Sequence, residues 1–254
     1  MNFIRPMVIL SGLIALWQTI VMISGVPAYI LPGPVKVAQA ALSHAGSLLD
    51  NAVTTILEII AGLLIGTFWG ALNALFMIAF RALKRWLLPV LVISQAIPVF
   101  ALAPLLVLWL GYGMSSKIAM AVLIIFFPVT AAFYDGLRST EPEWLELAQV
   151  MNGNQMAIIR HVRIPAALPA FASGLRVATA VAPIGAVVGE WVGSSKGLGF
   201  YMLYTNARMQ IDVMFAALAV LCIVALTLYF IVDRIMIKLV FWQKDENKKE
   251  KISR

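Results

Sequence analysis

Glu58 and Glu190 are the residues best placed to do chemistry, because each carboxylate interrupts an otherwise apolar run. An ionisable group inside a membrane-length run is costly and marks a solute path or a buried partner. Gln95 adds an amide within a run broken by prolines, and the three are the candidate contacts for a transported solute. Catalysis finds little support elsewhere. His44 and His161 fall on opposite sides of the topology that the charges dictate, so they cannot share a metal ion or a catalytic centre. No Ser, His and Asp set survives the same sorting. Gly193-Ser194-Ser195-Lys196-Gly197-Leu198-Gly199 has the glycines of a phosphate cradle but lacks the Gly-Lys-Ser/Thr ending and a following soluble helix. It reads as a flexible external re-entry loop. Cys222, the single cysteine, reads as a small core residue. The chain is therefore expected to be no enzyme and to need no metal or cofactor.

The elements that carry these side chains follow from composition. Of 254 residues, 62% are hydrophobic and 12% charged, with a mean hydropathy of +0.93; soluble domains carry about 25% charged residues. Lipid offers backbone groups no partner, so apolar runs this long are read as helices, whereas barrel strands are shorter and alternate. The pattern predicts an all-α, polytopic membrane protein, a single transmembrane domain over 1–254. Six spans are expected at 7–24, 52–80, 88–110, 116–134, 171–192 and 213–237. The first run is too long for a secretory signal and lacks an A-x-A exit, so it reads as a retained anchor. Leu31-Pro32-Gly33-Pro34 is a rigid turn before a modestly amphipathic helix at 35–49, expected to lie along the membrane surface. Gly62, Gly66 and Gly70 fall at i, i+4 and i+8, a stripe that lets another helix approach closely. Residues 81–85 read as a short basic loop, and Pro89, Pro98 and Pro104 imply kinks or a break in the third span.

Six crossings return both termini to one side. About 15 of the 19 Lys and Arg lie on the side of Arg5, Arg81, Arg163 and Lys248, which the positive-inside rule makes cytoplasmic. Only Lys36, Lys117, Lys196 and Arg208 fall outside. The net charge of +7 is thus a signal of topology and not of nucleic-acid binding, since the basic residues flank apolar runs. The basic, polar tail at 238–254 is expected to fray.

The cytoplasmic segment 135–170 is longer than a tether requires. Thr140-Glu141-Pro142-Glu143 reads as a helix start: a Thr cap, proline in the first turn and a Glu to complete a capping box. This helix is expected to reach about residue 151, where Asn152-Gly153 breaks it, because both residues tolerate positive φ. A second short helix, 154–161, is expected to end before Ile164-Pro165, with Pro169 leading into the fifth span. The product is a protruding helical elbow suited to docking.

Glu146-Leu147-Ala148, the turn at Asn152-Gly153, and Ile164-Pro165 nineteen residues after Glu146 resemble the EAA motif of bacterial ABC importer permeases. Leu31-Pro32-Gly33-Pro34 is similar to that family's L-P-S-P segment, and Ala96-Ile97-Pro98 with Ala103-Pro104-Leu105 is similar to its third span. The resemblance implies a type I importer permease (MetI-like) fold in the bacterial inner membrane. It implies that 135–170 forms coupling helices seated in a cleft of separate ABC ATPase subunits, with Glu146, Leu147, Ala148, Asn152, Gly153 and Pro165 as docking residues. An extracytoplasmic substrate-binding protein and a second permease copy, in a homodimer, are implied as further partners. The family usually has Gly where this chain has Asn152; Asn reaches the left-handed conformation, so the turn is expected to persist.

The subgroup it looks most like handles nitrate, sulfonates, taurine and thiamine pyrimidine precursors. Apart from Arg176 and Arg234 at span boundaries, the ionisable groups expected within spans are carboxylates, which disfavours anionic cargo. The segment 182–191, continuing to Asn206-Ala207-Arg208-Met209-Gln210, is most similar to permeases for thiamine pyrimidine precursors. A hydroxymethylpyrimidine-type compound is the expected cargo, with nitrate, aliphatic sulfonate or taurine as the alternative. An ion-coupled secondary transporter would carry inverted repeats, and a membrane-embedded enzyme would cluster catalytic groups at one depth. The sequence offers neither pattern.

Overall fold

The computed structural model describes residues 4–242, and eleven α-helices make up nearly all of that segment. In chain order they are α1 (Ile4–Ser24), α2 (Pro34–Ser43), α3 (Ala45–Ala79), α4 (Arg81–Ala96), α5 (Val99–Leu110) and α6 (Met114–Arg138). The short α7 (Pro142–Val150) and α8 (Gln155–Ile158) follow, and a π-helical turn at Ile159–Arg163 leads into α9 (Ile164–Gly193). Then come α10 (Leu198–Ala207) and α11 (Ile211–Leu239). Five helices, α1, α3, α6, α9 (with its lead-in) and α11, are each long and apolar enough to cross a membrane. The pair α4 and α5 is long and apolar enough together but is bent by 102°. Because Gly62, Gly66 and Gly70 of α3 meet Ala121, Ile125 and Val129 of α6 in the same order, α3 and α6 run parallel, and this pair returns the chain across as a sixth crossing. The break expected among the three prolines falls at Ile97-Pro98, between these helices, while Pro89 and Pro104 are held inside them. An even number of crossings keeps the two ends of the described segment on one side. The tail beyond residue 242 lies outside the described residues.

The centre is a three-helix sandwich in which α6 lies between α3 and α9. Ala121 on α6 is the contact point: Gly62 of α3 faces its Cβ so closely that any side chain there would collide. From the other side, a Cβ on Gly185 of α9 would come within 2.7 Å of the Ala121 Cα. The glycine stripe thus buries its face on α6, as small residues allow when helices pack without a hydrophobic drive from water. Ile59, Ile125, Val129, Ala178 and Ala182 fill the same core. A second core, at the outer end, gathers Val37 and Ala40 of α2, Leu48 and Ala52 of α3, Leu198 and Tyr201 of α10, and Val213 and Ala217 of α11.

Several local expectations are corrected. The helix expected over 35–49 ends at Ser43. His44 leaves the helical region at φ −112° and ψ 21°, and 45–49 belong to α3; the change of direction lets Val37 and Leu48 reach one core. The basic loop at 81–85 is helical. Only Phe80, extended at φ −122° and ψ 101°, separates α3 from α4. Helix α7 is capped at Glu141 without a side-chain bond, so the capping box does not form. Pro142 takes the first helical position, and the Thr140 hydroxyl instead donates to the Leu137 carbonyl, 3.2 Å away. The second elbow helix does not end before Pro165. The π turn carries the chain continuously into α9, where Pro165 occupies the first turn, a position that needs no donor. Of the glycine-rich re-entry segment, residues 194–197 form a short non-helical link, and Leu198 and Gly199 already belong to α10, whose Leu198, Gly199, Tyr201 and Thr205 are buried.

Candidate functional site

Two places gather the polar and docking-type residues, one at each end of the span bundle. The cytoplasmic place is the elbow. Along α7 the apolar residues Trp144, Leu147 and Met151 recur at i, i+3 and i+7, and all three are exposed, Leu147 at 61% and Met151 at 75%. A polar helical segment has no use for such a face unless something covers it. Glu143 and Glu146 are exposed on the same helix.

Helix α7 ends in a Schellman motif. The Asn152 N–H donates to the Gln149 carbonyl and the Gly153 N–H to the Ala148 carbonyl, each at 2.9 Å. Asn152 takes the left-handed conformation at φ 57°, so the expected turn persists with Asn152 itself at the left-handed position. Gly153 is required for a different reason, since a Cβ there would lie 2.7 Å from the Ala148 oxygen. Asn154 then caps α8 by accepting from the Ala157 N–H at 2.8 Å.

The elbow is fastened to the spans by two side chains. Gln155 donates to the Ala79 carbonyl at the end of α3 (3.1 Å), and Arg163 donates to the Leu137 carbonyl at the end of α6 (2.8 Å). Both bonds also satisfy helix-end carbonyls that lack partners within their own helices. Beside α7 lies an open cleft of about 700 Å³ whose walls include Trp144, Leu147, Ala148, His161, Pro165 and Trp242. The structure thus brings Leu147, Ala148 and Pro165 of the expected docking set to one cleft. It places Asn152 and Gly153 at the turn beside them and leaves Glu146 exposed.

The outer place holds both singled-out carboxylates. Glu58 of α3 and Glu190 of α9 are 0% and 1% exposed within this chain. Glu58 Oε1 accepts from Lys117 Nζ of α6 at 2.9 Å, and both side chains are buried. Glu190 Oε1 accepts from the Thr55 hydroxyl at 2.6 Å, and Oε2 accepts from the Gly199 N–H at 2.5 Å. The Leu198 N–H donates to Thr55 Oγ1 and the Gly197 N–H to Asn51 Oδ1, both at 2.8 Å. The first turn of α10 is therefore capped entirely by side chains of α3 and α9. The glycine-rich segment does cradle an anion, but that anion is the chain's own Glu190 carboxylate. Gln95, by contrast, sits exposed in the last turn of α4, just before the break.

Lys117, Thr55 and Asn51 were missed from sequence. Lys117 follows Gly111-Tyr112-Gly113 and reads there as an external boundary lysine, whereas α6 begins at Met114 and buries it. A signal did exist for the other two. Asn51, Thr55 and Glu58 stand at i, i+4 and i+7, a polar stripe that continues the line of Gly62, Gly66 and Gly70 on α3. The charge argument against anionic cargo also loses its basis at Glu58, which already has a cation, Lys117, beside it.

Six apolar crossings around a close-packed helical centre, with a cytoplasmic elbow tied to two of them, define a multi-pass membrane transport subunit. The chain belongs to the family of binding-protein-dependent transport system inner membrane components, whose model matches residues 62–240. It is an ABC importer permease subunit of the inner membrane. It is 55% identical to a probable ABC transporter permease protein of Haemophilus influenzae, over 91% of this chain and 95% of that protein. It is 34% identical to a formylaminopyrimidine transport permease protein of Halalkalibacterium halodurans (96% and 97% covered). It is 37% identical to a riboflavin transport system permease protein of Chloroflexus aurantiacus (93% and 89% covered). Among solved structures, the MetNI methionine ABC transporter in inward-facing form shares the fold, with a TM-score of 0.60 at 22% identity over 76% of this chain and 94% of that one.

Proposed function

We propose that this permease imports a thiamine pyrimidine precursor of the hydroxymethylpyrimidine type, driven by a separate cytoplasmic ATPase and supplied by an extracytoplasmic binding protein. The observation that carries the cargo assignment is likeness along nearly the whole length to a permease named for formylaminopyrimidine. Two copies of the chain would enclose one path, since six crossings leave little room for alternating access within a single copy. The mechanical reading rests on the elbow. The exposed face of Trp144, Leu147 and Met151, together with Glu146, would seat on the ATPase. Closure of the ATPase pair would then displace a Schellman-braced helix whose neighbours grip Ala79 and Leu137. Displacement of a rigid element that two spans share is sufficient to shift those spans together.

A second reading, riboflavin, has its own support in 37% identity to a permease named for that vitamin. Both cargoes are planar nitrogen heterocycles. Nitrate, aliphatic sulfonates and taurine remain the alternative. Reconstitution of the chain with its ATPase and binding protein in vesicles, followed by uptake of labelled hydroxymethylpyrimidine, riboflavin, taurine and nitrate, separates them. ATP-dependent accumulation of the pyrimidine alone is expected. Accumulation of taurine or nitrate in its place would overturn the cargo assignment, and uptake by the permease alone on an ion gradient would overturn the ATP-driven reading.

A further inference from the structure

The outer carboxylate pair has an imbalance that ordinary ion pairing leaves open. Glu58 Oε1 is occupied by Lys117, but Glu58 Oε2 is fully buried with no hydrogen-bond partner among the described residues. The neighbouring carboxyl is Glu190: Thr55, one turn before Glu58 on α3, donates to Glu190 Oε1, and Gly189, next to Glu190 on α9, packs against Lys117. Both oxygens of Glu190 are already satisfied as acceptors by Thr55 and Gly199. Two ionised carboxylates can only accept, so in contact they would repel and leave Oε2 orphaned. One ammonium group balances only one of them. Of the other elements packed here, α5 and α10 contribute no Asp, Glu, Lys, Arg or His, α11 brings Asp212, half-buried in its first turn, and the segment before α10 brings Lys196, which is exposed.

We propose that Glu58 and Glu190 share one proton, carried on Glu58 Oε2 and donated to the Glu190 carboxylate, so that Glu58, Lys117 and Glu190 form a neutral buried lock. The proton turns the orphaned acceptor into a donor and removes the unpaired negative charge in one step. Glu190 is the ionised member because its oxygens face fixed donors, including the first-turn N–H groups of α10, where negative charge is favoured. The lock spans three crossings and the re-entrant helix, so it fastens α10 to the outer ends of α3, α6 and α9. Gly197, at φ +113°, permits this closure; any side chain there would run into the Glu190 carboxyl.

The test is the infrared spectrum of the full chain in lipid nanodiscs at neutral pH. The carbonyl stretch of a buried, protonated carboxylic acid is expected in the unaltered protein. It should disappear in Glu58→Gln, and also in Glu190→Gln, where Glu58 becomes the sole carboxylate facing Lys117 and ionises. Glu143→Gln, an exposed control, should leave it in place. A wild-type spectrum without the band, or a band that survives either buried substitution, overturns the proposal. A melting curve supplies the second arm. Glu58→Gln, whose amide can both accept from Lys117 and donate to Glu190, should melt close to the unaltered chain, and Glu58→Ala well below it. Equal loss in both variants would also overturn the shared proton.

Discussion

Gly153 and Glu146 sit seven residues apart on the elbow and make different demands. Gly153→Ala would force a Cβ to 2.7 Å from the Ala148 carbonyl oxygen and open the Schellman turn. A cost of about 1–3 kcal/mol is expected, confined to the elbow. Membrane insertion should be normal and ATP-driven uptake should fall several-fold. Asn152→Gly should be neutral or slightly stabilising, since glycine takes φ 57° without the strain asparagine bears. Glu146→Arg leaves the fold alone, because Glu146 is exposed and has no ion-pair partner among the described residues. The expected outcome is a normally inserted permease that co-purifies with less ATPase. Full retention of the ATPase would count against the docking role. This turn was legible because asparagine and glycine each have a backbone signature. Lys117 had none: a lysine just past Gly111-Tyr112-Gly113 looks the same in sequence whether it faces water or pairs with Glu58 across two helices.

At the level of elements, the long spans were readable because the hydrophobic demand of a bilayer overrides local propensity. The connections were less so. Helix α10 begins among residues that ordinarily signal a loop, and it forms because Asn51, Thr55 and Glu190, distant in sequence, cap its first turn. The π turn escaped for a related reason. Pro165 marks a helix boundary in sequence, yet as a first-turn residue of α9 it needs no donor, so the chain runs through it. That continuity gives the elbow a stiff route into the fifth span, with Arg163 adding a clamp on α6. Arg163→Ala should loosen the clamp without touching the exposed face of α7. ATPase binding is expected to persist while uptake per ATP hydrolysed declines, measured as the ratio of the two rates in proteoliposomes. An unchanged ratio would show that the clamp transmits nothing.

For the whole molecule, function rests on sidedness, because an elbow can couple to ATP only if it emerges where ATP is. The parity of crossings places the elbow and the glycine-rich segment at opposite ends: α6 and α9 meet the elbow at their 138 and 164 ends, and α9 meets α10 at its 193 end. The charge count assigns the elbow to the cytoplasm. In a Cys222→Ala background, Leu147→Cys should resist a membrane-impermeant maleimide in intact cells and react in inside-out vesicles. Lys196→Cys, exposed in the segment before α10, should show the reverse pattern. Both positions are exposed in this chain, and because residue 147 belongs to the face proposed to seat on the ATPase, the inside-out vesicles are stripped of that subunit before labelling, so a failure to label cannot be blamed on burial. Labelling of residue 147 from outside intact cells would separate the elbow from any cytoplasmic ATPase. The six crossings would then stand without the proposed mechanical link to ATP.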